Sequence, residues 1–210
     1  MEIGIIGSGR IGATAARLFV DAGHDVAIAN SRGPDSLTDL VQDLGESARP
    51  TTVEDAASIA ELVLVAIPFG RFGELPAEAL RNKIVVDATN YYPERDGHIR
   101  ELDEDNTTST ELLAAHAPNA RVVKAFNTMK WTDLGERGSQ GPLDERLVLL
   151  VAGDDQEAKD RVSALVEQIG FAPVDTGGLA EGGRRQQPGS SLYVKPLTPN
   201  EARNLLSEPR

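Results

Sequence analysis

The 210 residues suit one large domain, or one domain with a small appendage, able to bury roughly 70% of its unfolded surface without staples. Cysteine is absent, which removes disulfides, thiol catalysis and cysteine-ligated metals together, and no cluster of His with carboxylates suggests a metal. With 33 acidic residues against 21 basic ones the formal net charge is −12, which argues against nucleic acid or an anionic membrane as partner and obliges any anionic ligand to be drawn by a local basic patch.

The chain opens Met1-Glu2-Ile3-Gly4 with no basic leader, and residues 3–6 form a short apolar strand pattern. Glycines follow, then a helical pattern over 10–22 that Gly23 ends. A strand is predicted over 26–29 and a polar helix over 34–44, stopped by Gly45. An all-apolar strand is predicted at 62–67 and another strand at 84–88. Further ones lie at 121–126 and 147–152, with a weaker one near 173–175. The clearest helix lies between the last two. Asp154 or Asp155 can cap it, Ala158, Val162, Leu165, Val166 and Ile169 form one apolar stripe, and Gly170 closes it. An acidic loop is expected over 96–108, and a glycine- and arginine-rich stretch over 177–189 before a short helix near 199–206. The apolar runs are too short to span a bilayer, so a soluble, cytoplasmic chain is expected.

Strands apolar on both faces and separated by helices predict an α/β fold of Rossmann type. It is a doubly wound, mostly parallel sheet with helices on both faces. Residues 1–176 are expected to make up this dinucleotide-binding domain, and 177–210 a short tail with a helix packed on it.

Gly7-Ser8-Gly9-Arg10-Ile11-Gly12 follows the first strand and opens the first helix, the context that gives a glycine pattern its meaning. Gly7 permits the tight turn, Gly9 lets a pyrophosphate approach the backbone, and Gly12 lets helix and strand pack closely. The diphosphate would rest on unpaired amides at the positive end of the helix dipole. An NAD-specific site normally ends its second strand with Asp or Glu. Here that strand ends Asn30-Ser31-Arg32, with no carboxylate before Asp35. Asn30 and Ser31 can donate to a phosphate and Arg32 can clamp it with a planar fork, a charge-assisted contact of about 1.5–3 kcal/mol that selects NADP(H).

In an open parallel sheet, ligands bind beyond the carboxyl ends of the strands. Ile67 and Pro68 offer an apolar turn under the centre of the cofactor, and Asn90 follows the next strand in Asp87-Ala88-Thr89-Asn90. Asn127, Thr128 and Met129, after Ala125-Phe126, are the candidates for positioning the nicotinamide and its hydride partner. No catalytic residue is assigned. His24 reads as structural, His98 and His116 as solvated, and there is no Tyr-x-x-x-Lys pair. No proton relay for a carbonyl or alcohol is therefore evident. Hydride transfer between planar rings needs chiefly alignment, which points to a flavin-like small-molecule partner.

The glycine loop, the Asn30-Ser31-Arg32 and Ile67-Pro68 turns and the run Val122-Val123-Lys124-Ala125-Phe126-Asn127-Thr128 resemble the NADPH-dependent reductases of the deazaflavin coenzyme F420. They are similar, too, to the NADPH-binding domain of the six-transmembrane ferric reductases, which passes hydride to a flavin. The N-terminal half is also like the nucleotide-binding domain of pyrroline-5-carboxylate reductases. The resemblance implies direct hydride transfer between NADP(H) and F420, its ring stacked near Asn127 to Met129, in a homodimer. Archaeal members carry a histidine-bearing segment where Asn127-Thr128 stand here, and their C-termini differ from Gly182-Gly183-Arg184-Arg185-Gln186-Gln187-Pro188-Gly189. Arg184 and Arg185 are candidate contacts for an anionic acceptor tail, with a solvated loop or a subunit contact as the other readings. Two functional alternatives stay open: an NADPH-dependent flavin or ferric reductase, and a non-catalytic NADP(H)-binding redox sensor.

Overall fold

Strand and helix alternate along the computed structural model, which describes residues 1–208. The first units are β1 (Glu2–Ile6), α1 (Arg10–Asp21), β2 (Asp25–Ala29), α2 (Thr38–Leu44), β3 (Ala48–Pro50), α3 (Val53–Ile59), β4 (Leu62–Val65) and β5 (Ile84–Asp87). Then come α4 (Pro93–Asp96), α5 (Arg100–Asp103), α6 (Ser109–His116), β6 (Arg121–Lys124), α7 (Trp131–Glu136), β7 (Val148–Gly153), α8 (Gln156–Gln168), β8 (Ala172–Gly177), α9 (Glu181–Arg185) and α10 (Pro199–Ser207).

The strands form one eight-stranded sheet in the order β3-β2-β1-β4-β5-β6-β7-β8. The pairings from β3 across to β6 are parallel. β7 meets β6 antiparallel and carries β8 parallel to itself. The sheet is thus doubly wound and mostly parallel, and strand order reverses between β1 and β4. That reversal opens a crevice above the carboxyl ends of the strands.

The pleat sorts alternate residues to the two faces. Ile3 and Ile5 of β1 join Leu62 and Leu64 of β4 in a core covered by Phe19 of α1 and Val162 of α8. Ile6, Val63 and Val65 face the other way, against Ala56 and Ala57 of α3 and Leu113 of α6. A third cluster sets Val148, Leu150, Ala172 and Val174 of the outer strands against Leu192 and Ala202. The C-terminal segment therefore covers a sheet face that would otherwise be bare. In α8 the Asp155 carboxylate caps by accepting from the Ala158 amide at 2.9 Å.

Several elements differ from the sequence expectation. β3 has only three residues, one of them proline, and sits at the sheet edge, where apolar patterning is weakest. The acidic stretch 96–108, expected as a loop, holds the end of α4, all of α5 and Thr108, which with Glu111 makes the capping box of α6. The helix expected over 34–44 divides into a 3-10 turn, Pro34–Leu37, followed by α2. Residues 209–210 of the tail lie outside the described residues.

Candidate functional site

Two cavities meet above the crevice, one of about 240 Å³ and one of about 470 Å³. Gly9, Ala66, Ile67 and Pro68 line both, so the glycine loop and the Ile67-Pro68 turn form their common wall.

Sterics explain the glycine loop. Gly7 has φ +115°, and a Cβ there would stand 2.3 Å from the Ala66 carbonyl oxygen. A Cβ on Gly12 would meet the Gly7 carbonyl oxygen at 1.8 Å. Nothing lies within 4 Å of where a Gly9 Cβ would be, and α1 begins there without a side-chain cap. The first amides of the helix are thus left for a ligand, and the open space at Gly9 fits a diphosphate.

In the smaller cavity, Asn30 braces the loop. Its Nδ2 donates to Ser8 Oγ at 2.9 Å and to Ser36 Oγ at 3.0 Å, while its Oδ1 accepts from the Arg32 amide at 2.8 Å. Ser31 faces the cavity and accepts from Arg71 Nη1 at 3.1 Å. Arg71, in the turn Phe69–Glu74, also lines the cavity and is held by Glu74 at 2.5 Å. The Arg32 side chain is exposed beside them. Sequence reading missed Arg71, which is 40 residues from Ser31. Its only signal was a basic residue just after the Ile67-Pro68 turn.

The larger cavity gathers the strand ends. Asn127 is 4% exposed and donates through Nδ2 to Asn90 Oδ1 at 3.1 Å and to the Gln186 carbonyl at 2.8 Å. Its Oδ1 is buried without a partner, as is Thr89 Oγ1, and both residues line the cavity. An orphaned polar atom of this kind costs about 1–3 kcal/mol unless a ligand completes it. Met129 also lines the wall, whereas Thr128 is buried behind it with its carbonyl accepting from the Val194 amide at 2.9 Å.

Strain concentrates at this cavity. Phe126 has φ +67° and Val194 φ +56°, and both belong to its lining. Left-handed backbone at non-glycine residues costs on the order of 1–3 kcal/mol each and persists where the surroundings over-determine it. The Phe126 ring packs edge-on against Phe19 at 6.0 Å. Beneath the floor, Lys124 Nζ donates to Asp87 Oδ2 at 2.9 Å and to the Thr89 carbonyl at 2.5 Å, and Thr110 Oγ1 donates to the same carboxylate oxygen at 2.7 Å. Burial holds the Lys124 amine below its ordinary range, with the Asp87 carboxylate opposing that shift only in part. This buried pair fixes the Thr89-Asn90 turn.

Side chains that sequence reading did not single out close the larger cavity. Tyr92 and Tyr193 share a hydrogen bond between their hydroxyls. Arg95 lies over the Tyr92 ring at 5.0 Å and donates to the Asn90 carbonyl at 2.5 Å. At the mouth, Arg10 stacks at 5.4 Å on the half-exposed ring of Trp131, next to Lys130. No carboxylate belongs to the lining of this cavity. The two tyrosines are 101 residues apart, which is why no motif announced them.

The other sequence candidates lie elsewhere. Arg184 is tied to Asp105 at 2.9 Å, and Arg185 donates to the Glu208 carbonyl at 3.2 Å. Both face cavities on the C-terminal segment, not the crevice. His24 links the N-terminal amine at 3.4 Å to Gln168 at 2.9 Å. His116, expected in solvent, is half-buried. Its Nε2 donates to the Leu75 carbonyl at 2.8 Å and its ring meets Phe72 edge-on, because α6 packs against the Phe69–Glu74 turn. Among the described residues no helix is long and apolar enough to cross a membrane, and no group of three His, Asp or Glu is placed to hold a metal.

Residues 2–91, which carry the glycine loop and the Ile67-Pro68 turn, match the family model described as NADP oxidoreductase, coenzyme F420-dependent. The hypothetical protein SMa0349 of Sinorhizobium meliloti is 35% identical, with a TM-score of 0.82 over 94% of this chain and 95% of that one. A structure from Arthrobacter sp. FB24, described as an F420-dependent NADP reductase, is 28% identical with a TM-score of 0.71 over 84% of this chain and 85% of its own. The chain belongs to the F420-dependent NADP oxidoreductase family. The family is one of NADP oxidoreductases. The rat metalloreductase STEAP3 is 34% identical over 181 residues, which is 85% of this chain and 34% of the relative. This family member thus spans about a third of the length of the curated relatives it matches.

Proposed function

We propose that this chain passes a hydride between NADP(H) and the deazaflavin coenzyme F420 by direct ring-to-ring transfer. The observation that carries the reading is the pair of cavities sharing Gly9, Ala66, Ile67 and Pro68, one beside the Asn30-Ser31-Arg32 turn and one beside an orphaned carboxamide oxygen. The loop Gly7 to Gly12, with Ser8, Arg10 and Ile11 between the glycines, would hold the diphosphate. Ser31, Arg32 and Arg71 would hold the 2′-phosphate, with Asn30 as their brace. Asn127 Oδ1 would accept from the nicotinamide carboxamide. When bound, NADPH supplies the hydride.

The protein's own share is binding, orientation and exclusion of water. Asn90 and Gln186 hold Asn127 in place, and Lys124 with Asp87 holds Asn90's turn. Arg10 and Lys130 are the cations at the mouth, suited to an anionic acceptor tail in a chain of net charge −12. Alignment of this kind can supply several kcal/mol of the barrier without acid–base chemistry. A homodimer, as in the family it resembles, and a cytoplasmic setting belong to the same proposal.

A second reading is favoured by the match to STEAP3 over 85% of this chain: the acceptor is a flavin, as for an NADPH-dependent flavin or ferric reductase. Following NADPH absorbance with F420, FMN and FAD as separate acceptors separates the two. Fast turnover with F420 and little with the flavins is expected. Turnover with FMN or FAD alone would support the second reading. Tight NADPH binding without turnover on any of them would instead leave a redox sensor.

A further inference from the structure

We propose that the Tyr92–Tyr193 hydroxyl pair, backed by Arg95, is the donor site for the acceptor atom on which negative charge gathers when the hydride arrives. This rests on the hydride-transfer reading above. Two phenols carry two O–H groups, and their mutual hydrogen bond uses one of them. The second proton has no protein acceptor among the described residues, and both side chains line the larger cavity. Arg95 sits over the Tyr92 ring at 5.0 Å, its guanidinium fixed by Asp96 at 2.8 Å. The side chain of Asp96 is 1% exposed and takes no part in the lining, so Arg95 and not its partner faces the cavity.

The charge balance calls for such a donor. A hydride moves with both electrons of its bond, so a neutral planar acceptor gains one hydrogen nucleus and one negative charge, while the nicotinamide becomes cationic. Any proton that later neutralises the acceptor comes from water. The tyrosines keep their protons throughout and supply a fixed dipole where the charge develops. Burial first, and then the Tyr92 hydroxyl, push the Tyr193 phenol far up, so it stays a donor at every working pH.

The backbone shows that Tyr193 is held in place at a cost. Val194, next in the chain, sits at φ +56°, rare for a β-branched residue, and is pinned by its amide on the Thr128 carbonyl at 2.9 Å. This pinning carries a residue of the C-terminal segment onto α4, where Tyr92 is the N-cap residue.

The test measures binding as well as turnover. Oxidised and chemically reduced FMN and F420 are titrated anaerobically at pH 8, where the reduced flavin ring carries one more negative charge than the oxidised one, into wild-type protein, Tyr193→Phe and Tyr92→Phe. NADPH affinity and the thermal midpoint serve as controls for folding. The wild type is expected to hold the reduced form of the probe it turns over about tenfold more tightly than the oxidised form, which is about 1.4 kcal/mol. Tyr193→Phe is expected to lose that preference and to lower kcat about ten- to hundredfold, below the 10²–10³ of a fully enclosed oxyanion donor. Equal affinity for both forms in the wild type, or a preference that survives in both variants, overturns the proposal. If NADPH reduces neither probe, the hydride-transfer reading itself falls, and that result is distinct from a lost preference.

Discussion

Asn90 and Asn127 lock one another across the ends of β5 and β6. Asn127 Nδ2 donates to Asn90 Oδ1 at 3.1 Å, and Asn90 Nδ2 donates to the Asn127 carbonyl at 2.9 Å. The reciprocal pair leaves Asn127 Oδ1 buried without a partner. Replacing Asn127 by Ala removes the side-chain half of the lock and the orphan, and leaves Asn90 donating to the main-chain carbonyl. We expect kcat to fall about ten- to hundredfold through lost orientation, with a much smaller change in the KM for NADPH. Steady-state kinetics check this, and an unchanged kcat would show that the carboxamide does not position the ring.

Cofactor choice is expected to depend more on Arg71 than on Arg32. Arg71 lines the smaller cavity and contacts Ser31, whereas Arg32 stands exposed outside its lining. Arg71→Ala also frees Glu74, whose carboxylate would then repel a phosphate. The NADPH-over-NADH ratio of kcat/KM is predicted to fall about ten- to hundredfold in Arg71→Ala and less in Arg32→Ala. The reverse order would return the main phosphate contact to Arg32.

The order of strands and helices was legible because apolar runs and glycine stops recur along the chain, and the stripe from Ala158 to Ile169 is a strong helical signal. β3 was not, since Arg49 and Pro50 lack any strand pattern and pairing with β2 alone makes them a strand. In the crevice, the glycine loop was readable because its requirements are local. Tyr92 with Tyr193, and Ser31 with Arg71, are pairs made by topology, and spacing along the chain carries no trace of them. The reading that no proton relay was evident rested on motifs, which could not announce the Tyr92–Tyr193 pair. His116 was misplaced likewise, because its partner is the Leu75 carbonyl on a distant turn.

Lys124 and Asp87 are the one ion pair in which both side chains are fully buried among the described residues, at 1% and 0% exposure. Lys124→Met is expected to destabilise the protein by about 3–5 kcal/mol, because it leaves a buried carboxylate uncompensated. The double variant with Asp87→Asn is expected to recover much of that loss. Urea unfolding of the wild type, both singles and the double measures the coupling, and simple additivity would contradict it.

Asp155 gives the stability a defined acid dependence. The Arg121 guanidinium, ahead of the Ala158 amide, lowers its carboxyl from the ordinary 3.8 to about 2. A carboxyl with a depressed native pKa stabilises the fold fully above the unfolded value and loses that contribution as pH falls through the native one. Asn is itself a good cap, so Asp155→Asn removes mainly the charge. Its unfolding midpoint is expected to lie below that of the wild type at pH 7 and to converge with it between about pH 4 and pH 2. A gap that is independent of pH would assign the effect to geometry instead.

The central claim is direct transfer of hydrogen from the nicotinamide to a planar acceptor lying in the larger cavity. The most direct measurement uses NADPH deuterated on one face of C4, with F420 as acceptor, and mass spectrometry of the product. One deuterated face is predicted to deliver its label to the reduced deazaflavin without dilution by solvent hydrogen, and the other face to deliver none. Label lost to water, or label delivered equally from both faces, would contradict the account.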